Sequence, residues 1–584
     1  MEGMIQSLKK NPRHPTKPPE DDSMDLQRFL LIAASAAITL LLLVEWTAFR
    51  AENQEPIERQ RLSKTSLEGS LPTGGTIELS DQNAADELPS ATLENTPQQP
   101  TEASDSSRFI SVKTDVLEVV IDLVGGDVVE TALLAYPENI ETPNIPFVLL
   151  EQGNQRTYTA QSGLVGPDGI DSESRALFAV AKNRYEMTPN TPLEIALLFE
   201  TIDSVVVTKR FAFEPGSYAI DVSYDIENNG ENTWRAVPFA QIKRDSTAPP
   251  DADTSGFGMQ PFLGAATTTA EDRFKKFTFN DMADDPWKAQ VIGGWIAMIQ
   301  HYFVSAWVPN KDDTHSYSAR QTNSGLNIAG FTSPALLVGA GERGSWSATL
   351  YAGPKNQPAL AALATHLDLV VDYGWLWWIA QPLFWLLTTI QSVVVNWGLA
   401  IIVLTLLVKA AFFQLSAASY RSMAKMRKVQ PKMVAIREQY AEDKQKQSQA
   451  MMELYKKEKI NPMGGCLPIL IQMPVFIALY WVLMESVELR QAPFALWIDD
   501  LSAMDPYFVL PLIMGASMFF MQKLNPPPPD PMQAKIMQWL PVVFTFFFLW
   551  FPSGLVLYWV VNNLLSMAQQ YVITRQIERE GLAR

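Results

Sequence analysis

Apolar and polar positions alternate in three different rhythms along the chain. Phe29–Phe49 is continuously apolar except for Glu45 near its end. That is long enough to cross a bilayer, which needs about 20 residues. A cleaved signal peptide begins in the same way, but this run ends in Glu45-Trp46 instead of a small-x-small site, so it predicts an uncleaved signal anchor. Residues 50–107 are rich in Glu, Gln, Ser, Thr, Pro and Asn, with few aromatics. Such a composition cannot bury a core and predicts a disordered tether. From 108 to 350 the rhythm is that of strands. Leu117–Leu123 alternates and is β-branched, Gly125-Gly126 follows, and then Asp127–Leu134. Val205–Phe213 and Tyr218–Ile226 flank Glu214-Pro215-Gly216-Ser217, a hairpin signal, and Asn228-Asn229-Gly230 marks another turn. These features predict a large, mostly antiparallel β-sandwich without a short internal repeat.

The last third is dominated by long apolar runs. Tyr373–Leu387 holds Trp375, Trp377, Trp378 and Trp385 and is interrupted by Pro382, which predicts an interfacial helix in an aromatic belt. Five apolar spans follow: Val393–Leu415, Leu467–Met484, Tyr507–Met521, Ile536–Phe551 and Leu555–Ile573. Only Pro552-Ser553-Gly554 separates the last two, which predicts a tight helical hairpin. The expected fold class is therefore a polytopic α-helical membrane protein of six transmembrane helices with a large antiparallel β-sandwich domain outside the membrane.

Charge gives this arrangement a direction. The formal net charge is −17, but it is unevenly placed: −22 over residues 29–375 and +5 over 376–584. The loop 416–466 carries eleven Lys or Arg against five acids, whereas 485–506 carries Glu485, Glu488, Asp499, Asp500 and Asp505 against Arg490 alone. The positive-inside rule places the first loop in the cytoplasm and the second outside. Both termini are then cytoplasmic. The expected division is a cytoplasmic tail (1–28), an anchor (29–49), a linker (50–107), an outer β-sandwich (108–372) and a membrane core (373–584). The loop 416–466 is expected to form a cytoplasmic helical hairpin, from helices at Ser422–Tyr440 and Glu442–Lys459 with Pro431 bending the first.

Candidate chemistry is sparse. There is no Walker A loop, no His-Glu-x-x-His and no Gly-x-Ser-x-Gly. His14, His301, His315 and His366 are scattered, and Cys466 is the only cysteine, which excludes an intramolecular disulfide and a cysteine-based zinc site. No catalytic residue, metal site, cofactor or nucleic-acid recognition motif is expected, so the chain does not read as an enzyme. The informative residue is Lys409, set in apolar sequence twelve residues from both Trp397 and Arg421. On a helix that is about 18 Å from either landmark, near mid-bilayer. A charge there costs about 2.5–3.5 kcal/mol on insertion scales and marks a functional candidate. The bland alternatives are a snorkelling lysine and a buried ion pair; no acid lies inside any of the five spans. Thr405, Gln472, Tyr558, Asn562 and Ser566 could join Lys409 in a hydrophilic groove, the last three recurring on one helix face. Each alone is more often ordinary interhelical hydrogen bonding. In the hairpin, Met423, Met426, Met433, Met451 and Met452 suit packing, or an adaptable surface for apolar clients.

Three segments carry a family resemblance. Lys459–Phe476 reads KINPMGGCLPILIQMPVF, Glu488–Leu501 reads ELRQAPFALWIDDL, and Phe547–Val560 reads FFLWFPSGLVLYWV. They resemble the core signatures of the YidC-type membrane protein insertase family, and Gly294–Pro309 is similar to a segment of the periplasmic domain of its Gram-negative members. The resemblance implies a bacterial inner-membrane insertase and chaperone, with a five-helix core and a cytoplasm-facing groove closed on the outer side. It implies nascent membrane proteins as clients and the lipid bilayer as their destination. Further implied partners are the Sec translocon, the ribosome and the signal recognition particle system. Lys409 stands where the family usually has arginine, and Trp559 where many relatives have a second tyrosine associated with client contacts. The alternatives from other classes are a secondary transporter or channel for a small anion, and a sugar-binding outer domain on an anchor. A transporter usually shows repeated helical halves, and none is visible.

Overall fold

Strict alternation along Val205–Phe213 buries every second residue, so this strand has one face for a core and one for water. It turns at Glu214–Ser217, where Gly216 takes φ +71°, a left-handed geometry open to glycine. It then pairs antiparallel with Ala219–Asn228, Val222 opposite Phe211. The structure, a computed structural model, describes residues 108–153, 156–250, 261–458, 467–524 and 531–582. The expected cytoplasmic tail, anchor and tether lie outside the described residues.

The predicted sandwich is present as sheets of eleven and nine strands among the described residues. Pairing is antiparallel apart from Phe109–Lys113 beside Arg184–Glu186. Ile110, Val119, Ile121 and Ile242 of the larger sheet share one core with Val207, Phe211, Ile220 and Val222 of the smaller. Charges are buried in it as well. Lys209 Nζ donates to the carbonyls of Gly125 (3.0 Å) and Ser162 (3.2 Å). Beside it Arg175 pairs with Asp127 and, at 3.1 Å, with Asp171.

The helical part begins with α1 (Trp377–Val394). Pro382 lies inside this helix and does not interrupt it, contrary to the sequence reading. The first predicted span also differs. Asn396 caps α2 (Trp397–Ala411), accepting from Leu399 N–H at 2.9 Å. The helix then breaks at Phe412, and α3 (Phe413–Gln439) leaves at 67°. The hairpin's first helix therefore starts nine residues before the predicted Ser422. It packs on α4 (Lys444–Glu458) through Val429, Met433 and Leu454. Met426 and Met451 support this contact, whereas Met452 stays exposed.

The remaining helices are α5 (Leu467–Glu485), α6 (Val509–Leu524), α7 (Pro531–Phe547) and α8 (Ser553–Leu582). The last outruns its predicted span, which ended at Ile573. α8 packs against α2, α3, α5 and α6, and α1 against α2 and α5. Ile401, Leu404, Leu479, Leu483, Met514 and Val556 form the shared core. Two close approaches define it. A Cβ on Gly398 would stand 2.0 Å from Phe494 Cδ2, and one on Gly515 1.9 Å from Thr545 Oγ1. Among the described residues no single helix is both long and apolar enough to cross a membrane; the bent pair α2–α3 is, by length and composition. Trp375, Trp377, Trp378 and Trp385 are each more than half exposed.

Candidate functional site

Lys409 lies in the last turn of α2, two residues before its end and just before the bend. It is half-buried, and its Nζ donates to Ser566 Oγ on α8 at 2.8 Å and to Gln472 Oε1 on α5 at 3.4 Å. Gln472 Nε2 in turn donates to Asn562 Oδ1 at 2.7 Å, and Ser566 Oγ donates to the Asn562 carbonyl, also at 2.7 Å. Three helices thus converge on one ammonium group through side-chain oxygens that are all neutral. No salt bridge to Lys409 occurs among the described residues. A cation held this way keeps its full charge available to an incoming group, which an ion pair would neutralise.

The sequence-predicted residues fall into two sets. Lys409, Gln472, Asn562 and Ser566 are one hydrogen-bonded cluster. Thr405 shares a helix with Lys409, but it is buried, and its hydroxyl donates to its own helix, to the Ile401 carbonyl at 2.6 Å. Tyr558 is buried one turn before Asn562 on α8 and stacks on Phe476, with centroids 6.1 Å apart. Trp559 meets the same Phe476 edge-on at 4.6 Å and also contacts Phe544 and Phe548. The two aromatics therefore form an aromatic storey on the N-terminal side of the polar cluster along α8. Since i and i+4 share a helix face, the run Tyr558–Asn562–Ser566 explains the vertical order.

Sequence reasoning missed a second polar contact. Asn563, next to Asn562 but about 100° further round α8, donates to Ser517 Oγ on α6 at 2.9 Å. Gln569 Nε2 reaches the carbonyl of Phe413 at the α2–α3 break, at 3.2 Å. The doubled Asn562-Asn563 in an apolar run was the available signal. Reading only the face shared with Tyr558 left it unused.

The chain thus joins a β-rich domain to an apolar helix bundle that holds the Lys409 cluster and sends out a basic helical hairpin. Residues 389–580 match the family described as 60Kd inner membrane protein, and residues 109–386 match the YidC periplasmic domain. A membrane protein insertase YidC of Pseudomonas putida is 50% identical over 557 residues, 95% of this chain and 99% of the relative. One of a Marinomonas species is 51% identical over 567 residues, 96% of this chain and all of the relative. A solved structure described as an active YidC insertase with its first transmembrane domain resolved gives a TM-score of 0.37 at 19% identity. It covers 80% of this chain and 92% of that one. The chain belongs to the YidC family of membrane protein insertases, and it is not an enzyme.

Proposed function

We propose that this chain inserts and folds integral membrane proteins through a cytoplasm-facing hydrophilic groove built around Lys409. The groove is lined by Gln472, Asn562 and Ser566, with Thr405, Tyr558 and Trp559 on its outer side. The observation that carries this reading is the Lys409 ammonium, bonded among the described residues to neutral oxygens alone and set between apolar helices. A charge set among membrane helices is a functional candidate by default. No covalent step is needed. The wet cluster lowers the barrier for a client's polar tail to enter part of the bilayer. The client's apolar helix then leaves sideways into lipid, favoured by about 25 cal/mol for each Å² of apolar surface removed from water.

In this reading the anchor and five core spans make six transmembrane helices, with both termini cytoplasmic. The bent α2–α3 pair carries the chain from the membrane into the hairpin 416–466, which receives clients at the groove mouth. The division into tail (1–28), anchor (29–49), linker (50–107), outer domain (108–372) and core (373–584) follows the same topology. The chain works alone or beside the Sec translocon, with the ribosome and signal recognition particle system delivering clients. A photo-crosslinking residue at position 472, compared with one at the exposed Phe520, tests the route. Stalled nascent clients are expected to crosslink from 472 before they do from 520. Absence of crosslinks at 472 would remove the groove. Depletion separates the classes, because loss of an insertase strands many small membrane proteins and loss of an anion transporter does not.

A further inference from the structure

Glu485 is the only acid of α5 and ends it. It pairs at 2.7 Å with Lys355, which directly follows the outer-domain strand Arg343–Pro354; each side chain is 2% exposed. Lys355 Nζ also lies 3.4 Å from the Val370 carbonyl, and its backbone N–H donates to the Tyr302 carbonyl at 2.9 Å. Three neighbouring contacts tighten the same junction. His301 Nε2 is 2.8 Å from the carbonyl of Met484. Val487 is buried in the core of the sandwich. Arg490 lies beside the stacked rings of Phe147 (5.5 Å) and Phe303 (5.4 Å), and donates to the carbonyls of Pro137 (2.9 Å) and Glu138 (3.1 Å). Phe147 and Phe303 belong to different sheets, so the segment 484–491 is held by both.

A buried ion pair is seldom the most stable choice, since well-packed apolar residues of similar volume often do as well or better. What it supplies is a single register. Only one rotation and depth of α5 bring Glu485 to Lys355. The same helix carries Gln472, thirteen residues and about 20 Å away at 1.5 Å per residue. Pro474 lies between them, yet α5 runs as one helix. Turning α5 by about 30° would carry a side-chain atom about 6 Å off its axis through roughly 3 Å. That displacement breaks the 2.7 Å bond from Gln472 to Asn562.

We propose that Lys355 and Glu485 are positioning residues. Through them the outer domain sets the rotation and depth of α5, and so holds Gln472 beside Lys409. This rests on the reading of the Lys409 cluster as the insertion site. The test uses the full-length protein in membranes, with protein levels and protease resistance of the outer domain measured alongside client insertion. Each single change, Lys355→Met or Glu485→Leu, strands a buried charge and can unfold the junction, so the double variant is decisive. It keeps an apolar, folded junction but loses the register. We expect normal protein levels and insertion lowered about fivefold, the size of an ordinary coupling between interacting residues. The swap Lys355→Glu with Glu485→Lys is expected to recover most of the loss. On a Lys409→Ala background the double variant should cost an acidic-tailed client less than it does beside Lys409, because part of its effect is the lost contact between Gln472 and Lys409. Wild-type insertion by the double variant, or losses that multiply with that of Lys409→Ala, would overturn the positioning role while leaving the site intact. A Lys409→Ala that is silent for the acidic-tailed client would overturn the functional reading itself, and the positioning role with it.

Discussion

If Lys409 acts as a positive field within the helix bundle, its effect on a client must scale with the client's charge. Lys409→Ala removes the ammonium but leaves two bonds of the cluster in place, Gln472 to Asn562 and Ser566 to the Asn562 carbonyl, both 2.7 Å. The groove therefore stays polar and only the field is lost. At a separation of about 8 Å and an effective dielectric of about 20, one unit charge on a client's tail interacts with the ammonium by roughly 2 kcal/mol. A client with one acidic residue in its translocated tail should then insert up to about thirtyfold more slowly, and a matched neutral client at near the normal rate. Lys409→Glu reverses the field, about doubling the difference, and should be the worst variant. Lys409→Arg keeps the charge and should retain activity, although its planar fork bonds differently to Ser566 and Gln472. The assay is the insertion rate of two clients identical except for tail charge, in each variant, at matched protein levels. A snorkelling lysine predicts that neutral substitution leaves every client unaffected, or stabilises the protein by removing a desolvation cost. Equal effects on both clients would refute the electrostatic part. No effect of Lys409→Glu on either would refute the assignment of the site.

Three further outcomes are expected. Removing most of 425–457 deletes the Val429–Met433–Leu454 contact and should slow insertion without unfolding the core; wild-type insertion rates would exclude a receiving role for the hairpin. Lys209 lies between Asp127, Asp171, Arg175 and Tyr224, and burial lowers its folded-state pKa to about 7, below the unfolded value near 10.5. Between those two values the unfolded chain binds more protons, so this group makes the outer domain more stable as pH rises from 7 towards 10. Urea-induced protease sensitivity of the full chain should fall over that range and flatten in Lys209→Met; a Lys209→Met profile as steep as wild type would contradict this. Gly398→Ala places a methyl 2.0 Å from Phe494 and should lower stability in detergent by about 1–3 kcal/mol, and an unchanged melting temperature would mean that the loop at Phe494 yields freely.

Periodicity and charge made the architecture legible wherever a signal was local. The hairpin at Val205–Phe213 is visible because alternation and turn chemistry occupy adjacent positions, and the structure pairs those residues. Lys409 stood out because a single charge in an apolar run has no local explanation, and Gln472, Asn562 and Ser566 were found as polar interruptions of other runs. Which of the polar residues meet was not legible. Thr405 and Lys409 are one turn apart, yet Thr405 turns inward to Ile401 while Lys409 reaches across to Ser566. That choice depends on what faces each side chain on α5 and α8, 60–160 residues away. The break at Phe412 was equally hidden, since Ala410–Phe413 is apolar and carries neither glycine nor proline at the bend.

The acids of the outer loop show where charge counting and structure part company. Glu485, Glu488, Asp499, Asp500 and Asp505 were weighed together as a sign of an exterior loop. Yet Glu485 is buried against Lys355. Asp505 is wholly buried, accepting from Trp497 Nε1 at 3.0 Å and from the backbone N–H groups of Tyr507 and Leu510 at the start of α6. These carboxylates are structural, and they say little about which side of a membrane they occupy. The topological inference does not need them. Orientation follows lysine and arginine, with acids contributing little, so its weight falls on eleven cations in 416–466 against Arg490 alone. Arg490 is itself held beside the stacked rings of Phe147 and Phe303 of the periplasmic domain. The one cation of the loop 485–506 thus belongs to the junction with a folded domain. An exposed cytoplasmic-type flank would place it differently, so the contrast between the two loops is sharper in the structure than in the count.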